Sequence, residues 1–520
     1  MLLRTINKHA VLGLILGMAI LLRLWALLLF AFPVGDVNLF CLAAENWADQ
    51  GKLTVGFKNH YSREMLPYGL NEPQSQHLPL WPLLGGISKS LFPHVDVFTI
   101  LKVWSFFFGL VLIILLYYFS RTALPSSLNL IPSALASFSP LLIEYSVDGS
   151  FYILAACEWL ALFLVLPSLC RNRGWRWAAL GLLLGLSLLT HFTQVVMLPA
   201  CLVFFFQNRN QLSWSGIIVS FLIAAAIFSP WAVRNLSLFG SPFYSSTTLN
   251  FYEKWGLMDL MMSNGQLVEV PRSLLSSSVL GKILYAAPLN AWAFLSRMTV
   301  KSLLWPFVAV GVAFWSSARK HIVLPGGWPA LVLLGLYLID IAVWGFIRER
   351  FIVPMLPWVF LWATSGLASM GMMHPSLKPI EHHLHWATTV VVLITCGIFV
   401  GQLFWENKLS SNLVDREQAE KLALWLQEQP LGIVLGYSSL LDGGIESIRT
   451  HRQPFVHGRK FIGKPGATMA LLDQYKPRYI WADSLSRGFL EKLVPVNLVQ
   501  QQGHFCILEL SAVKAPASGQ

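Results

Sequence analysis

The stretch "FPVGDVNLFCLAAENWADQG", residues 32–51, decides how the chain is read. A long apolar run stops at Phe32-Pro33, and a lone carboxylate, Asp36, follows a Pro-Val-Gly turn. From Val37 the apolar residues Val37, Phe40, Cys41, Ala44, Trp47 and Ala48 recur at helical spacing, while Asn38, Glu45, Asn46 and Asp49 take the other side. Such a helix suits a membrane surface, with Trp47 at headgroup level. Asp36 then stands where a spanning helix leaves the bilayer. It is either a helix cap, which Asp favours, or a presented carboxylate, and the rest of the chain bears on that choice.

Working outward, 55% of the 520 residues are hydrophobic and only 12% are charged. Soluble domains carry about 25% charged residues, so most of this chain is expected to lie in lipid. The net charge of +11 is spread over short loops between apolar runs, a topology signal rather than a nucleic-acid footprint. The six cysteines have no close pair or metal-type spacing, and no paired histidines suggest a metal site. No phosphate-cradling loop argues for a nucleotide-driven pump.

Membrane helices are expected at 11–32, 97–119, 126–143, 147–168, 176–191, 193–206, 214–231, 297–318, 326–346, 350–372 and 386–405. The fold class is thus a mainly α, polytopic membrane protein of about 11 spans, followed by a small α/β domain. The first run is read as a retained helix rather than a cleaved leader. With the N-terminus inside, every inner connection is basic. The segment 77–93 is apolar but short and proline-bearing, and is read as re-entrant or interfacial. Residues 1–405 form the membrane domain, with outer loops 33–96 and 232–296, and 406–520 the small domain on the outer face. Within that tail "REQAEKLALWLQEQP" reads as an amphipathic helix, "LGIVLGYS" as a strand, and "TMALLDQYKPRYIWAD" as a helix leading into a strand. "SAVKAPASGQ" reads as a frayed end.

Ionisable residues gather in the outer segments. Asp36, Arg63, Glu64, Glu72, His77, Glu144, Asp148, Arg234, Glu253, Arg297, Lys301, Arg348, Glu349 and Arg350 all fall there. Charges near bilayer depth are costly and face a protein interior or a wet cavity. Arginines suit a phosphate through their forked donors, and a carboxylate suits proton removal from an incoming nucleophile. Each group also has a structural reading. On that reading Asp148-Gly149 only caps the helix starting near Phe151, Arg234 and Arg350 only pair or snorkel, and His77 and His191 only pack. Arg23, inside the first helix, is expected to reach an internal carboxylate rather than lipid.

These segments resemble the GT-C superfamily of polytopic glycosyltransferases that use polyprenyl-phosphate sugars, in the branch of the protein O-mannosyltransferases and lipid A aminoarabinose transferases. The resemblance is carried by "LLRLW" leading to "GDVNLFCLAAENWADQGKLTVG", by "HLPLWPLLGGISKSLFP" and by "FSPLLIEYSVDGSFYILAACEWLALF". "GLLLGLSLLTHFTQVVMLP" with "SPWAVRNLSLFGSPFYSS", and "RERFIVPMLPWVFLWATSGL", complete it across residues 11–372. It implies that Asp36 is the base that deprotonates the acceptor hydroxyl and that Asp148 orients acceptor or donor. Arg234 and Arg350, with Arg348 beside it, match positions that hold the lipid phosphate. The chain departs from relatives in having "SQHLPL" where they often carry Lys, which hands that role to His77 or Gln76. It has "YSVDG" in place of an Ala-Arg-acid run, which makes Glu144 a rival of Asp148, and Phe351 in place of Tyr.

The resemblance implies inverting transfer of a single sugar from a polyprenyl-phosphate donor to a protein, lipid or glycan hydroxyl on the non-cytoplasmic face, without metal or cofactor. The expected setting is a bacterial inner or plasma membrane with the site facing the periplasm or exterior. Two other classes stay open: a transporter or flippase of lipid-linked saccharides, and an inactive relative.

Overall fold

The computed structural model describes residues 8–29, 36–55, 57–58, 72–74, 76–126, 128–170, 174–245, 258–263, 266–271, 277–302, 304–318, 324–345, 347–373, 465–502 and 505–510, with short pieces between 394 and 457. Helix α1, Lys8–Leu29, leads to α2, Asp36–Gln50. Short strands β1 (Thr54–Val55), β2 (Phe57–Lys58) and β3 (Glu72–Pro73) follow, then α3, Leu80–Leu91. The bundle continues with α4 (Val97–Ala123), α5 (Ile131–Phe138), α6 (Pro140–Tyr145), α7 (Tyr152–Leu169), α8 (Gly174–Thr190), a 3-10 turn (Phe192–Val196), α9 (Met197–Gln207) and α10 (Trp214–Phe239). After a hairpin of β4 (Met258–Ser263) and β5 (Gln266–Pro271) come α11 (Ser277–Ser302), α12 (Leu304–Ala318) and α13 (Gly327–Trp344). A 3-10 turn, Glu349–Phe351, precedes α14, Leu356–Met373.

Among the described residues, five helices are long and apolar enough to cross a membrane: α1 through Ala10–Leu28, α4, α7, α10 and α13. Helix α8 and the run Phe192–Gln207 are shorter apolar helices. The run 126–143, expected as one span, is two short helices. Pro140 cannot donate to the preceding turn, and Ser139 before it is extended, so α5 stops and α6 restarts. The stretch 232–296, expected to be loop, is entered by α10 as far as Phe239 and left by α11 from Ser277. All but three residues of the expected span 386–405, the turn at 33–35, Arg63, Glu64, Glu253 and the end at 511–520 lie outside the described residues.

Helix α3 has 12 residues, about 18 Å of rise, too short to cross a bilayer and in keeping with a re-entrant or interfacial segment. Helix α2 packs along it. A Cβ on Gly86 would come within 2.9 Å of the Ala44 carbonyl and 2.8 Å of the Trp47 ring, so glycine is what lets the two helices approach. Leu42 and Ala43 are buried along with Val37, Phe40, Cys41 and Ala44, which makes α2 more enclosed than a helix lying on a surface.

Among the described residues, Arg23 meets no carboxylate. Fully buried, it donates from Nε to Ser146 Oγ (3.2 Å) and from its terminal nitrogens to the carbonyls of Ser137 (3.1 Å), Ala136 (3.3 Å) and Ala19 (3.4 Å). The Ser137 and Ala136 carbonyls end α5 at the break before Pro140, where helical donors run out, and a buried guanidinium satisfies both at once.

The tail holds β6 (Val434–Gly436), β7 (Phe455–His457), α15 (Pro465–Tyr475), β8 (Tyr479–Asp483), α16 (Ser484–Leu493), β9 (Val496–Gln502) and β10 (Phe505–Leu510). Its sheet runs in the order β2-β7-β6-β8-β10-β9. Strands β2, β7, β6 and β8 run parallel to one another, and β10 is antiparallel to both β8 and β9. A small sheet region thus follows the bundle, and its first strand comes from the loop after α2.

Candidate active site

Asp36 opens α2, where the unsatisfied N–H groups and the helix dipole favour a negative charge. Its principal partner arrives from a turn far along the chain. Arg350 Nη1 lies 2.7 Å from Asp36 Oδ2, with the two side chains 31% and 18% exposed, so the pair stands at an opening and not in the core. The turn that carries Arg350 is fixed from two sides. Gly345, with φ of +68°, ends α13 in a left-handed conformation, and the Tyr337 hydroxyl of α13 donates to the Phe351 carbonyl at 3.0 Å. The guanidinium also lies over the rings of Tyr152 (5.9 Å) and Phe351 (5.4 Å).

Tyr152, at the start of α7, lies close enough for its hydroxyl to act on the Asp36 carboxyl. His77, from the segment between β3 and α3, puts Nε2 3.8 Å from Asp36 Oδ1, beyond hydrogen-bond reach, and that nitrogen has no hydrogen-bond partner among the described residues. Burial pushes the Asp36 carboxyl up, yet Arg350, His77, His191 and the Tyr152 hydroxyl outweigh it, and the net shift is below the ordinary carboxylate range. Burial pushes His77 down; Asp36 opposes this and Arg350 adds to it, leaving the imidazole below its usual value and neutral at physiological pH.

Asp148 sits in the turn between α6 and α7. It does not cap α7, whose N-cap residue is Phe151 with no side-chain bond; instead Oδ1 accepts from the Ser150 backbone N–H at 2.8 Å. Burial drives its carboxyl up to about 8, against the Ser150 N–H, with Glu144 adding to the rise and Arg350 opposing it. Asp36 is therefore an anion, and Asp148 is mostly protonated at neutral pH. The two turns are neighbours: a Cβ on Gly149 would lie 3.2 Å from Val37 Cγ1, and the Gly149 carbonyl accepts from Trp81 Nε1 at 2.8 Å.

The fold thus brings Asp36, His77 and Arg350 together, with Asp148 within electrostatic reach of Arg350. Glu144 is exposed and acts on Asp148 and Tyr145 through its charge. Arg348 caps the Arg350 turn but is itself exposed. Arg234 is held elsewhere, 4.3 Å over the Trp231 ring, with Nη2 on the Leu53 carbonyl (3.2 Å) and Nη1 on Asn235 Oδ1 (3.0 Å). Tyr152 and His191 were given no site role from the sequence. Both sit next to core aromatics, and nothing in composition or spacing separates them from packing residues.

A family model described as dolichyl-phosphate-mannose-protein mannosyltransferase matches residues 76–233, which include His77, Glu144 and Asp148 but neither Asp36 nor Arg350. A comparison by sequence with curated proteins finds no match. Among solved structures, ArnT from Cupriavidus metallidurans bound to undecaprenyl phosphate is similar over 98% of this chain and 99% of its own, with a TM-score of 0.59 at 11% identity. AglB, an archaeal oligosaccharyltransferase from Archaeoglobus fulgidus in complex with an inhibitory peptide and a dolichol-phosphate, is similar over 92% of this chain and 70% of its own, with a TM-score of 0.58 at 14% identity. At such identities the likeness is one of fold. The helical bundle with its small C-terminal sheet thus shares its fold with these neighbours, and the family model matches one stretch within that bundle.

Proposed function

We propose that this chain is an inverting glycosyltransferase that moves one sugar from a polyprenyl-phosphate donor to an acceptor hydroxyl, with Asp36 as general base. The observation that carries the reading is the ionised Asp36 held at a partly open helix start, paired with Arg350 and flanked by neutral His77 and Tyr152. The named ligands of the neighbours, undecaprenyl phosphate and dolichol-phosphate, support a lipid-linked donor.

In the reaction Asp36 takes the proton of the acceptor hydroxyl as its oxygen attacks the anomeric carbon. The bond from that carbon to the phosphate oxygen breaks, and the polyprenyl phosphate leaves with the electron pair. Arg350 stabilises the charge gathering on the phosphate, the preorganised electrostatic help that dominates many such sites. A carboxylate clamped by a guanidinium is a weak base, since the pair favours the anion. An incoming phosphate competes for the same guanidinium and loosens the clamp, so donor binding raises the basicity of Asp36 as the reaction needs it. Asp148, protonated, is a hydrogen-bond donor that orients donor or acceptor, and His77 packs against the base. The acceptor is met on the non-cytoplasmic face of a bacterial plasma membrane, and residues 406–520 form a small domain on that face.

The test is transfer of labelled sugar from a panel of polyprenyl-phosphate sugars by purified protein, with Asp36→Asn beside the wild type. Transfer that collapses in a folded mutant supports the reading. Equal transfer by both removes Asp36 as the base. Vectorial movement of the donor without transfer favours a flippase.

A further inference from the structure

Four rings cross the site beside Asp36. His77 stands edge-on to Phe40 at 4.9 Å, Phe40 edge-on to Phe151 at 5.6 Å, and Phe151 stacks on His191 at 4.9 Å and 25°. Tyr152 is 6.4 Å from His191 and belongs to the same cluster. The chemistry above gives His191 no task.

The ring is nevertheless held in one chemical form. The Thr193 backbone N–H donates to His191 Nδ1 at 3.3 Å, capping the 3-10 turn, and the Thr193 hydroxyl lies 2.8 Å from the same nitrogen. A backbone N–H can only donate, so Nδ1 carries a lone pair and the proton of the neutral ring sits on Nε2. A doubly protonated ring would give up this cap. Among the described residues no hydrogen bond reaches Nε2, and the ring is partly exposed. Capping needs Nδ1 alone, and smaller residues do it as well. The Nε2–H is therefore a fixed, neutral, unused donor beside the carboxylate.

We propose that His191 is a substrate contact that reads the transferred sugar, its Nε2–H donating to a ring hydroxyl while Phe151 and Tyr152 offer apolar faces to the sugar's C–H side. The proposal rests on the transferase reading. Tyr152 neighbours both Arg350, at 5.9 Å, and His191, so a phosphate drawn to Arg350 brings its sugar over Tyr152 and a distal hydroxyl to His191. A single neutral donor among aromatic rings suits a hydroxyl; an anion is better served by Arg350.

The experiment measures binding as well as transfer, on the full-length protein. Affinities of wild type, His191→Asn and His191→Gln are compared for each sugar-bearing polyprenyl phosphate of the panel and for bare polyprenyl phosphate. Asn keeps an acceptor for the Thr193 N–H but is too short to reach as Nε2 does; Gln has the reach. His191→Asn is expected to weaken the sugar-bearing lipid about tenfold and leave the bare lipid unchanged, with Gln recovering most of the loss. A deoxy donor lacking the contacted hydroxyl binds wild type and His191→Asn alike. Equal effects on both lipids, or none on either, overturn the contact, as does a wild type that prefers no sugar-bearing lipid over the bare one. A sugar preference lost in His191→Asn without transfer from any donor keeps the contact and removes the transferase reading.

Discussion

Asp36 and Asp148 look alike in sequence: each is a lone aspartate beside a glycine, at or just before the start of a helix. Their surroundings separate them. Asp36 has a guanidinium at 2.7 Å and a tyrosine hydroxyl, and its carboxyl falls below the usual range. Asp148 has one backbone N–H at 2.8 Å and otherwise burial, and its carboxyl rises to about 8. Arg350 acts on both, but only Asp36 meets it directly. The difference teaches that one charged contact, supplied from a distant part of the chain, decides which of two similar carboxylates is an anion at neutral pH.

The hardest blow to this comparison is Asp36→Asn. It keeps the shape and removes the proton acceptor, so kcat/KM for transfer should fall about 10²–10⁴-fold while the protein stays folded. A smaller fall would make Asp36 a structural anion. Next comes Arg350→Gln. Losing the guanidinium should raise the Asp36 pKa, move the acidic limb of the pH–rate profile to higher pH, and lower transfer about 10²-fold through weaker charge stabilisation. An unmoved limb would mean that Arg350 does not set the protonation of Asp36.

Asp148→Asn should reduce transfer about tenfold and also change stability with a definite sign. A carboxyl whose folded pKa is raised to about 8 carries no penalty below its unfolded pKa, and an increasing one as pH rises toward 8. The variant should therefore melt near wild type at pH 4 and above it at pH 8, as thermal unfolding in detergent at several pH values would show. The mildest change is Gly149→Ala. The residue holds φ of +84° and faces Val37 and Phe98 at 3.2–3.4 Å, so alanine should cost about 1–2 kcal/mol and, through Val37, a few-fold in transfer. A melting point at or above wild type would show that the two turns do not press on each other.

Much of the fold was legible because α1, α4, α7, α10 and α13 are apolar over span length, a pattern that needs no tertiary contact to arise. The break at Ser139-Pro140 was hidden inside an evenly apolar run, where the proline alone does not say whether the helix kinks or restarts. Helix α11 was missed except for its last residues, since the expected span began only at 297, because Lys282, Pro288 and Asn290 interrupt the apolar pattern before it. At the site, Asp36 stood out as an uncompensated charge at a helix exit. Its pairing with Arg350, rather than with Arg234 or Arg348, could not be read, because all three arginines sit near apolar helices and only packing distinguishes them. Arg234 found a carbonyl and a tryptophan ring instead.

The pairing of β2 with β7 has a consequence in time. Phe57 and Lys58 leave the ribosome early, but their partners Phe455 and Val456 do not exist until nearly the whole helical bundle has been synthesised. Long-range parallel pairing is slow even in a finished chain. Strand β2 must therefore wait for its partner while α3 through α14 are made, and a molecule with Asp36 and Arg350 already joined would still lack this pairing. Maturation has a built-in order, with the helices first and the earliest strand of the six-stranded sheet among the last parts to settle.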